Sequence, residues 1–378
     1  MKIVNRKSQI VNPMPTFIPG LELARHFYHD VVRPLLDQHY PDLPHSAALI
    51  GSGSEILGFD DAMSTDHSWG PRLKLFLSPA DWAAHHTALY ELLARQLPYE
   101  FSGYATHFSE PDPDGDDSPV ATHIESGPVR HEVRIHTIQD FVQGHLNFDI
   151  GQELAPADWL SFPQQLLLTL TAGAVYHDDL GLNAVRDRFR FYPRDVWLYL
   201  LLAGWARIGQ EEHLMGRAGY AGDEIGSAII GARLVRDIMR LCFLMERVYA
   251  PYPKWFGTAF QRLQSGPDLA PVLTEALAAR TWPERQEQLV VAYEHLARKH
   301  NSLGLGSPLP EEAVPFFNRP FKVITFNGVG QQLAALIEDA RVRRLLERTP
   351  IGMVDQFSDS TDLLSYPAWR PILRRLYE

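Results

Sequence analysis

Between Leu49 and Arg72 the chain runs Leu-Ile-Gly-Ser-Gly-Ser-Glu, an apolar approach into a glycine–serine bend, and then on through Asp60 and Asp61 to Asp66-His67-Ser68-Trp69-Gly70-Pro71-Arg72. Those residue types in that order suit the capture of a phosphate-bearing ligand. Glycines let the backbone approach phosphate oxygens closely, and exposed N–H groups at a turn or at the start of a short helix attract negative charge. A carboxylate such as Asp66 can hold Mg²⁺, which bridges phosphate oxygens and neutralises developing charge. His67 could bond a phosphate or satisfy neighbouring backbone, and Arg72 could meet a phosphate or form a salt bridge. The plainer alternatives are a tight turn for Gly51–Ser54 and a helix or turn cap for Asp66.

Two familiar phosphate motifs are excluded. No G-x-x-x-x-G-K-[ST] run is present, and a dinucleotide fingerprint starting at Gly51 would need glycine where Ile56 stands. Further chemistry-bearing residues lie outside the bend. Glu132 sits on an alternating polar/apolar segment and is a candidate second metal ligand, although Arg134 and His136 share its face and a solvated strand face explains it as well. Arg233, Arg236, Arg240 and Arg247 fall on one side of a helix. Arg is well suited to bidentate phosphate recognition, with Arg240 a candidate, whereas Asp237 and Glu246 could instead partner the row. Glu224 is a candidate general base, although Asp223-Glu224 at a helix start is also explained by capping. Lys254 beside Trp255 could present a cation and a ring to a nucleotide, or simply pack. The acids Asp355, Asp359 and Asp362 fit no calcium loop and read as a solvated segment, and no H-E-x-x-H occurs.

The elements that must position these residues follow from periodicity. A helix is expected over about Gly20–Gln38, a buried strand at Ala47–Ile50, a second strand at Leu73–Leu77, and a helix over Asp81–Gln96 capped at Asp81. Residues 107–129, rich in Pro, Asp, Gly and Ser, read as a flexible loop. The alternation of His131–His136 predicts a third strand. From Asp158 to His300 nearly everything reads as helix, broken at Pro193, Gly216–Gly222 and Pro251–Pro253. Its clearest helix is Asp223–Tyr249, with apolar positions Ile225, Ala228, Ile229, Ala232, Val235, Ile238, Met239 and Cys242. A strand at Phe321–Phe326 and a helix near Gln331–Leu346 close the chain.

The 378 residues are enough for two or three domains, and 45% hydrophobic residues suffice for real cores. With 35 Lys+Arg against 46 Asp+Glu, the net charge of −11 argues against nucleic acid as a partner, since phosphate counterions are replaced by Lys and Arg. Cys242, the single cysteine, can form no internal disulfide, and no apolar run reaches the roughly 20 residues needed to cross a bilayer. The expectation is a cytoplasmic chain with no membrane partner.

At the bend the sequence resembles the nucleotidyltransferase superfamily, the fold of DNA polymerase beta and the aminoglycoside nucleotidyltransferases. The pattern there is an apolar strand, Gly-Ser, a short helix, a Ser-Asp-x-Asp strand and a third carboxylate on a later strand. More closely, the chain resembles a bacterial family known as domain of unknown function 4037. The likeness runs through Gly51–Glu55, Asp66–Arg72, Arg217–Gly219, Gly222–Glu224 and Tyr249–Trp255. The resemblance implies an α+β fold: a small mixed-sheet nucleotidyltransferase-like domain over 1–148, a mainly helical domain over 149–300 and a C-terminal extension over 301–378. It implies that Gly51, Ser52 and Ser54 contact the phosphates of ATP or another nucleoside triphosphate, helped by Arg72, Arg240 or Lys254. Asp66 corresponds to the first carboxylate of Asp-x-Asp and would hold Mg²⁺, and Glu132 matches the third carboxylate by order of elements. The second position is Ser68, which brings no charge, so another acid such as Asp60 or Asp61 must fill in, one metal is missing, or catalysis has been lost. The implied activity is transfer of a nucleotidyl (adenylyl) group to a small-molecule hydroxyl, with Glu224 as base. The alternative is a nucleotide-binding protein with a degraded metal site.

Overall fold

A computed structural model describes residues 17–66, 68–110, 118–325 and 328–378. The fold is α+β. The chain forms two compact units, one comprising residues up to Val142 together with Thr169–Asp187, the other Gln143–Leu168 together with Arg188–Glu378. The expected boundaries at 148 and 300 therefore differ from the observed division. A segment inside the helical stretch returns to the first unit, and residues 301–378 are integral to the second.

The first unit is built on β1 (Ser46–Leu49), β2 (Arg72–Phe76), a small hairpin of β3 (Glu100–Phe101) and β4 (Tyr104–Ala105), then β5 (Glu132–His136) and β6 (Ala174–Asp178). Four of these make one mixed sheet in the order β5-β2-β1-β6. β1 runs antiparallel to β2 and β6, while β2 and β5 are parallel, joined across the Pro79–Gln96 helix. Period-two alternation separates the two sheet faces. Ala47, Leu73, Leu75 and Val133 turn into a core with Phe27, Tyr28, Val32, Leu36, Leu89 and Leu93 from the flanking helices. Each such large side chain contributes about 1.5–3 kcal/mol on burial. The opposite face of β2 and β5 carries Arg72, Lys74, Glu132 and Arg134.

Most expected elements of this unit are present, with local corrections. The Gly20–Gln38 helix is continuous but contains a π-helical turn at Tyr28–Val32. The Pro79–Gln96 helix is capped by Ser78, whose hydroxyl accepts from the Asp81 N–H at 3.1 Å, so the cap is three residues earlier than expected. Strand β6 was not expected at all. Its sequence, Ala-Val-Tyr-His-Asp, lies between helices and becomes a strand by pairing with β1.

The second unit is helical. The Arg194–Tyr220 and Glu224–Met245 helices pack on each other, and Trp282–Ser302 packs against both. The expected break over Gly216–Gly222 is confined to its end, since the first of these helices runs on through Gly216 to Tyr220 and Gly222 (φ 86°) makes the turn. Gly219 permits this because a side chain there would strike the Trp282 ring system. On the second helix Val235, Ile238 and Cys242 are buried as expected, but Ile225 and Ile229 are 78% and 57% exposed. Leu234, Leu241 and Leu244 take the inner face instead. The expected strand at Phe321–Phe326 is reduced to Lys322–Val323, with Phe326 outside the described residues, and the last expected helix is split into Val329–Ala335 and Ala340–Leu345. No helix among the described residues is long and apolar enough to cross a membrane.

Gly173 gives a test of how β6 joins the sheet. It has φ 75°, its N–H donates to the Ile56 carbonyl at 3.1 Å, and a Cβ would collide with the Leu49 carbonyl oxygen. Gly173→Ala is expected to cost about 2–4 kcal/mol in denaturant unfolding, since both backbone strain and a backbone clash must be relieved.

Candidate active site

The end of β1 opens into a cleft of about 350 Å³ lined by Ile50, Ser52, Gly53 and Ser68, by Arg72 and Lys74 of β2, and by Glu132 and Arg134 of β5. The two strands pair in register, Arg72 with Glu132 and Lys74 with Arg134, so period two presents all four polar side chains to one space.

Arg72 organises the bend. Its Nη2 donates to the Ser52 carbonyl at 2.9 Å and forms an ion pair with Glu55. The pair is shielded from water, with side-chain exposures of 16% and 3%. Gly53, at φ 142°, allows this closure, because a side chain would run into Arg72 and Glu55. Gly51, at φ 93°, lies against the stem of Lys74, and its absent Cβ would sit 3.2 Å from Lys74 Cε. Ser54 opens the 3₁₀ turn Glu55–Leu57, its carbonyl accepting from Leu57 at 3.1 Å and Phe59 at 3.0 Å. Ser52 lines the cleft directly.

Lys74 is the least compensated charge in the cleft. Burial lowers its pKa to about 8, assisted by Arg72 and Arg134 and opposed by Glu132 and Glu55. Its ammonium stands 5.4 Å from the centre of the Phe141 ring. The neighbouring His136 is held down to about 4, first by burial and then by Lys74 and Arg134, and its buried Nε2 has no hydrogen-bond partner. Glu132 is gripped by Arg134, Nε to Oε2 at 2.7 Å and Nη2 to Oε1 at 3.3 Å.

The sequence-derived candidates divide clearly. Ser52, Arg72 and Glu132 line the cleft, while Gly51, beside the Lys74 stem, and Ser54, further along the bend, are not among its lining residues. Asp66 ends the exposed 3₁₀ segment Ala62–Asp66 and is not among the lining residues, whereas Ser68 is. His67 lies outside the described residues. The acids offered as replacements are occupied elsewhere: Asp60 accepts from the Gly20 N–H (2.7 Å) and Trp69 Nε1 (3.1 Å), and Asp61 from the Met63 N–H (2.9 Å). Lys74 and Arg134 were not singled out from sequence as cleft residues. The spacing Arg-x-Lys and Glu-x-Arg was visible, but the parallel pairing that brings the two strands together was not.

The other three candidates belong to the helical unit and are held in its own interactions. Glu224 accepts from the Trp282 N–H at 3.0 Å and pairs with Arg285 at 3.4 Å, while Asp223 caps the helix through the Gly226 N–H at 2.7 Å. Arg240 lies 16 residues further on, about 24 Å along the helix at ~1.5 Å per residue. It pairs with Asp359 at 3.3 Å, as does Arg236, and Arg233 pairs with Glu211. Arg233, Arg236 and Arg240 are therefore held in ion pairs within the unit, with Asp359, expected to be solvated, part of them, while Arg247 lies beyond the helix end over the Trp197 ring. Asp355 is likewise engaged, accepting from the Gln164 N–H at 3.1 Å. Lys254 stands 5.0 Å from the centre of the Trp255 ring.

Residues 159–256 match a family described as a domain of unknown function (DUF4037). The matched stretch contains Arg217–Gly219, Gly222–Glu224 and Tyr249–Trp255, but neither the bend nor Asp66. No curated protein is significantly similar to the chain in sequence. Among solved structures, a nucleotidyltransferase-like protein from Exiguobacterium sibiricum 255-15 is similar over 84% of this chain and 90% of that one, at 10% identity and a TM-score of 0.31.

The depressed Lys74 has a consequence for stability that can be measured without a ligand. Its folded pKa lies below the unfolded value near 10.4, so between about 8 and 10.4 the unfolded chain binds more protons and this residue's contribution to stability rises with pH. Lys74→Met is expected to stabilise the protein at pH 7, on the order of 1–2 kcal/mol after solvent screening, with the advantage over wild type shrinking from pH 8 to 10. Paired denaturant titrations across that range check it. A constant difference would mean that Lys74 keeps its ordinary pKa.

Proposed function

We propose that the cleft binds the polyphosphate of a nucleoside triphosphate, ATP in the simplest case, and that the protein is a nucleotidyltransferase-like nucleotide-binding protein. The observation that carries this reading is the convergence of Arg72, Lys74 and Arg134 on the glycine–serine bend. With Glu55 and Glu132 these give 3 − 2 = +1 locally, in a chain whose net charge is −11. A buried ammonium beside two guanidiniums is destabilised until an anion arrives, and a polyphosphate would supply several charge-assisted acceptors at once.

Mg²⁺ accompanies this chemistry in the superfamily that the bend resembles, and the cleft fits it poorly. Among the described residues, the carboxylates at the cleft are Glu132, bound by Arg134, and Glu55, bound by Arg72, and the other side-chain oxygens lining it belong to the neutral hydroxyls of Ser52, Ser68 and Ser118. No step is therefore routed through a metal, and the cations are assigned the work of neutralising phosphate.

A second reading is supported by the position of Glu132 on β5, a strand later than the bend and in register with Arg72, where the resemblance leads one to expect a third carboxylate. On that reading a small-molecule hydroxyl oxygen bonds to the α-phosphorus, the bond to the β-phosphate oxygen breaks, pyrophosphate leaves, and the hydroxyl proton passes to a base. The resemblance assigns metal ligation to Asp66 and Glu132, but Asp66 lies outside the cleft lining and Glu132 is held by Arg134, so this reading too routes no step through Mg²⁺. Glu224, held inside the helical unit, is given no role.

Calorimetric titration with ATP, with and without Mg²⁺, tests the first reading. ATP is expected to bind without the metal, and Lys74→Met to weaken it at least tenfold. Equal affinity in wild type and variant, or no binding at all, would overturn it. Affinity is also expected to fall as pH rises from about 7.5 to 9.5, because Lys74 loses its proton there, and Lys74→Arg should flatten that dependence. Release of pyrophosphate across a panel of hydroxylated acceptors, abolished by Asp66→Asn, would establish the second reading. Release unchanged in that variant would remove Asp66 from it.

A further inference from the structure

We propose that His45, His177 and Asp179 form a Zn²⁺ site at the end of the sheet remote from the phosphate-binding cleft. Each offers one ligand atom, and all three atoms lie within 4.8 Å of one another. His45 to Gly51 spans six residues of extended chain, about 20 Å at ~3.3 Å per residue, so the two places share no side chain.

The fold itself brings the ligands together. β1 and β6 pair with Ala47 opposite His177 and Ser46 opposite Asp178. Just beyond that register the backbones of His45 and Asp179 meet, the Asp179 N–H donating to the His45 carbonyl at 3.1 Å. Residues i and i+2 of a strand share a face, which places His177 and Asp179 side by side. His177 Nε2 is 2.7 Å from Asp179 Oδ2, and the two imidazole rings are 4.5 Å apart between centres.

The surroundings of His45 are those of a prepared ligand. The residue is buried, with 4% of its surface exposed. Its Nδ1 lies 3.0 Å from the Leu43 carbonyl, which accepts from the ring N–H and so leaves the Nε2 lone pair available, now 2.9 Å from the Tyr28 hydroxyl. A carbonyl holding the remote N–H is the usual second contact of a metal-bound imidazole, fixing both tautomer and ring orientation. Two imidazole nitrogens with one carboxylate oxygen suit Zn²⁺ better than Mg²⁺ or Ca²⁺, which prefer all-oxygen shells, and leave one position of a tetrahedron open.

One neighbour opposes a cation. Arg33 Nη1 is 3.3 Å from His177 Nδ1. Its Nε is already held by Asp37 at 2.7 Å, and its side chain is 37% exposed. Binding through His177 Nε2 moves the ring proton to Nδ1 and requires the Arg33 fork to withdraw towards Asp37. In the metal-free protein Arg33 thus favours the His177 tautomer that zinc binding must reverse, and its removal should favour zinc.

The test is calorimetric titration of EDTA-treated full-length protein with zinc chloride alone. One equivalent of tight binding is expected, weakened at least tenfold by Asp179→Asn and by His177→Gln, unchanged by His39→Gln on the surface, and unchanged or tightened by Arg33→Gln. Melting temperatures in EDTA separate loss of a ligand from loss of the fold, and if Asp179→Asn does not fold, His177→Gln decides. Absence of a tight equivalent, or binding that survives both ligand substitutions, would overturn the proposal.

Discussion

The reach of Arg72 from β2 back to the bend after β1 is the contact on which the rest of the cleft depends. One guanidinium nitrogen holds both the Ser52 carbonyl and the Glu55 carboxylate, so the bend is fastened to the neighbouring strand rather than left as a surface turn. Removing either partner would leave the other as an uncompensated, nearly buried charge, a change that typically costs about 3–5 kcal/mol. The glycines on either side of Ser52 follow from this fastening. Gly53 makes room for the ion pair, and Gly51 makes room for Lys74. An arginine that sequence alone leaves divided between phosphate and salt bridge is in the structure chiefly a salt bridge.

That assignment shifts attention to the residue two positions along. Lys74 occupies the same sheet face without a carboxylate of its own, because Glu55 is taken by Arg72 and Glu132 by Arg134. Burial and two neighbouring guanidiniums then bring its pKa to about 8. Such an arrangement is unfavourable for folding and would favour the anion binding proposed above. The field that penalises the ammonium is the field that a polyphosphate would relieve, so destabilisation and recognition have one physical origin.

How much of this was legible in the sequence depended on whether an element is defined locally. The alternation of Arg72–Phe76 and Glu132–His136 announced two strands, and Gly51–Gly53 announced the turn. The strand Ala174–Asp178 was hidden because its pattern is short and its identity comes from pairing with β1, more than 120 residues earlier. The register of β2 against β5 was hidden for the same reason, and with it the meeting of Lys74 and Arg134. On the long helix the arginine row and one of its partners, Asp237 for Arg236, were visible, but Glu211 on the preceding helix and Asp359 near the chain's end were not. The pairing of His45 with Asp179 is likewise a product of strand register, with no trace in local spacing.

The placement of Asp66 and Ser68 follows from backbone conformation. An Asp-x-Asp pair directs both carboxylates to one site when the three residues lie in a strand, where positions i and i+2 share a face. Here the strand begins only at Arg72. Asp66 ends a 3₁₀ segment and Ser68 has φ 48°, so period-two reasoning does not apply between them. The residue that reaches the cleft is the serine, and the aspartate stays on the exposed segment before it. The local chain path thus removes a carboxylate from the same site where the strand pairing concentrates cations. Both effects favour the proposed reading, in which an anion would be held by fixed positive charge rather than through an ion carried between two acids.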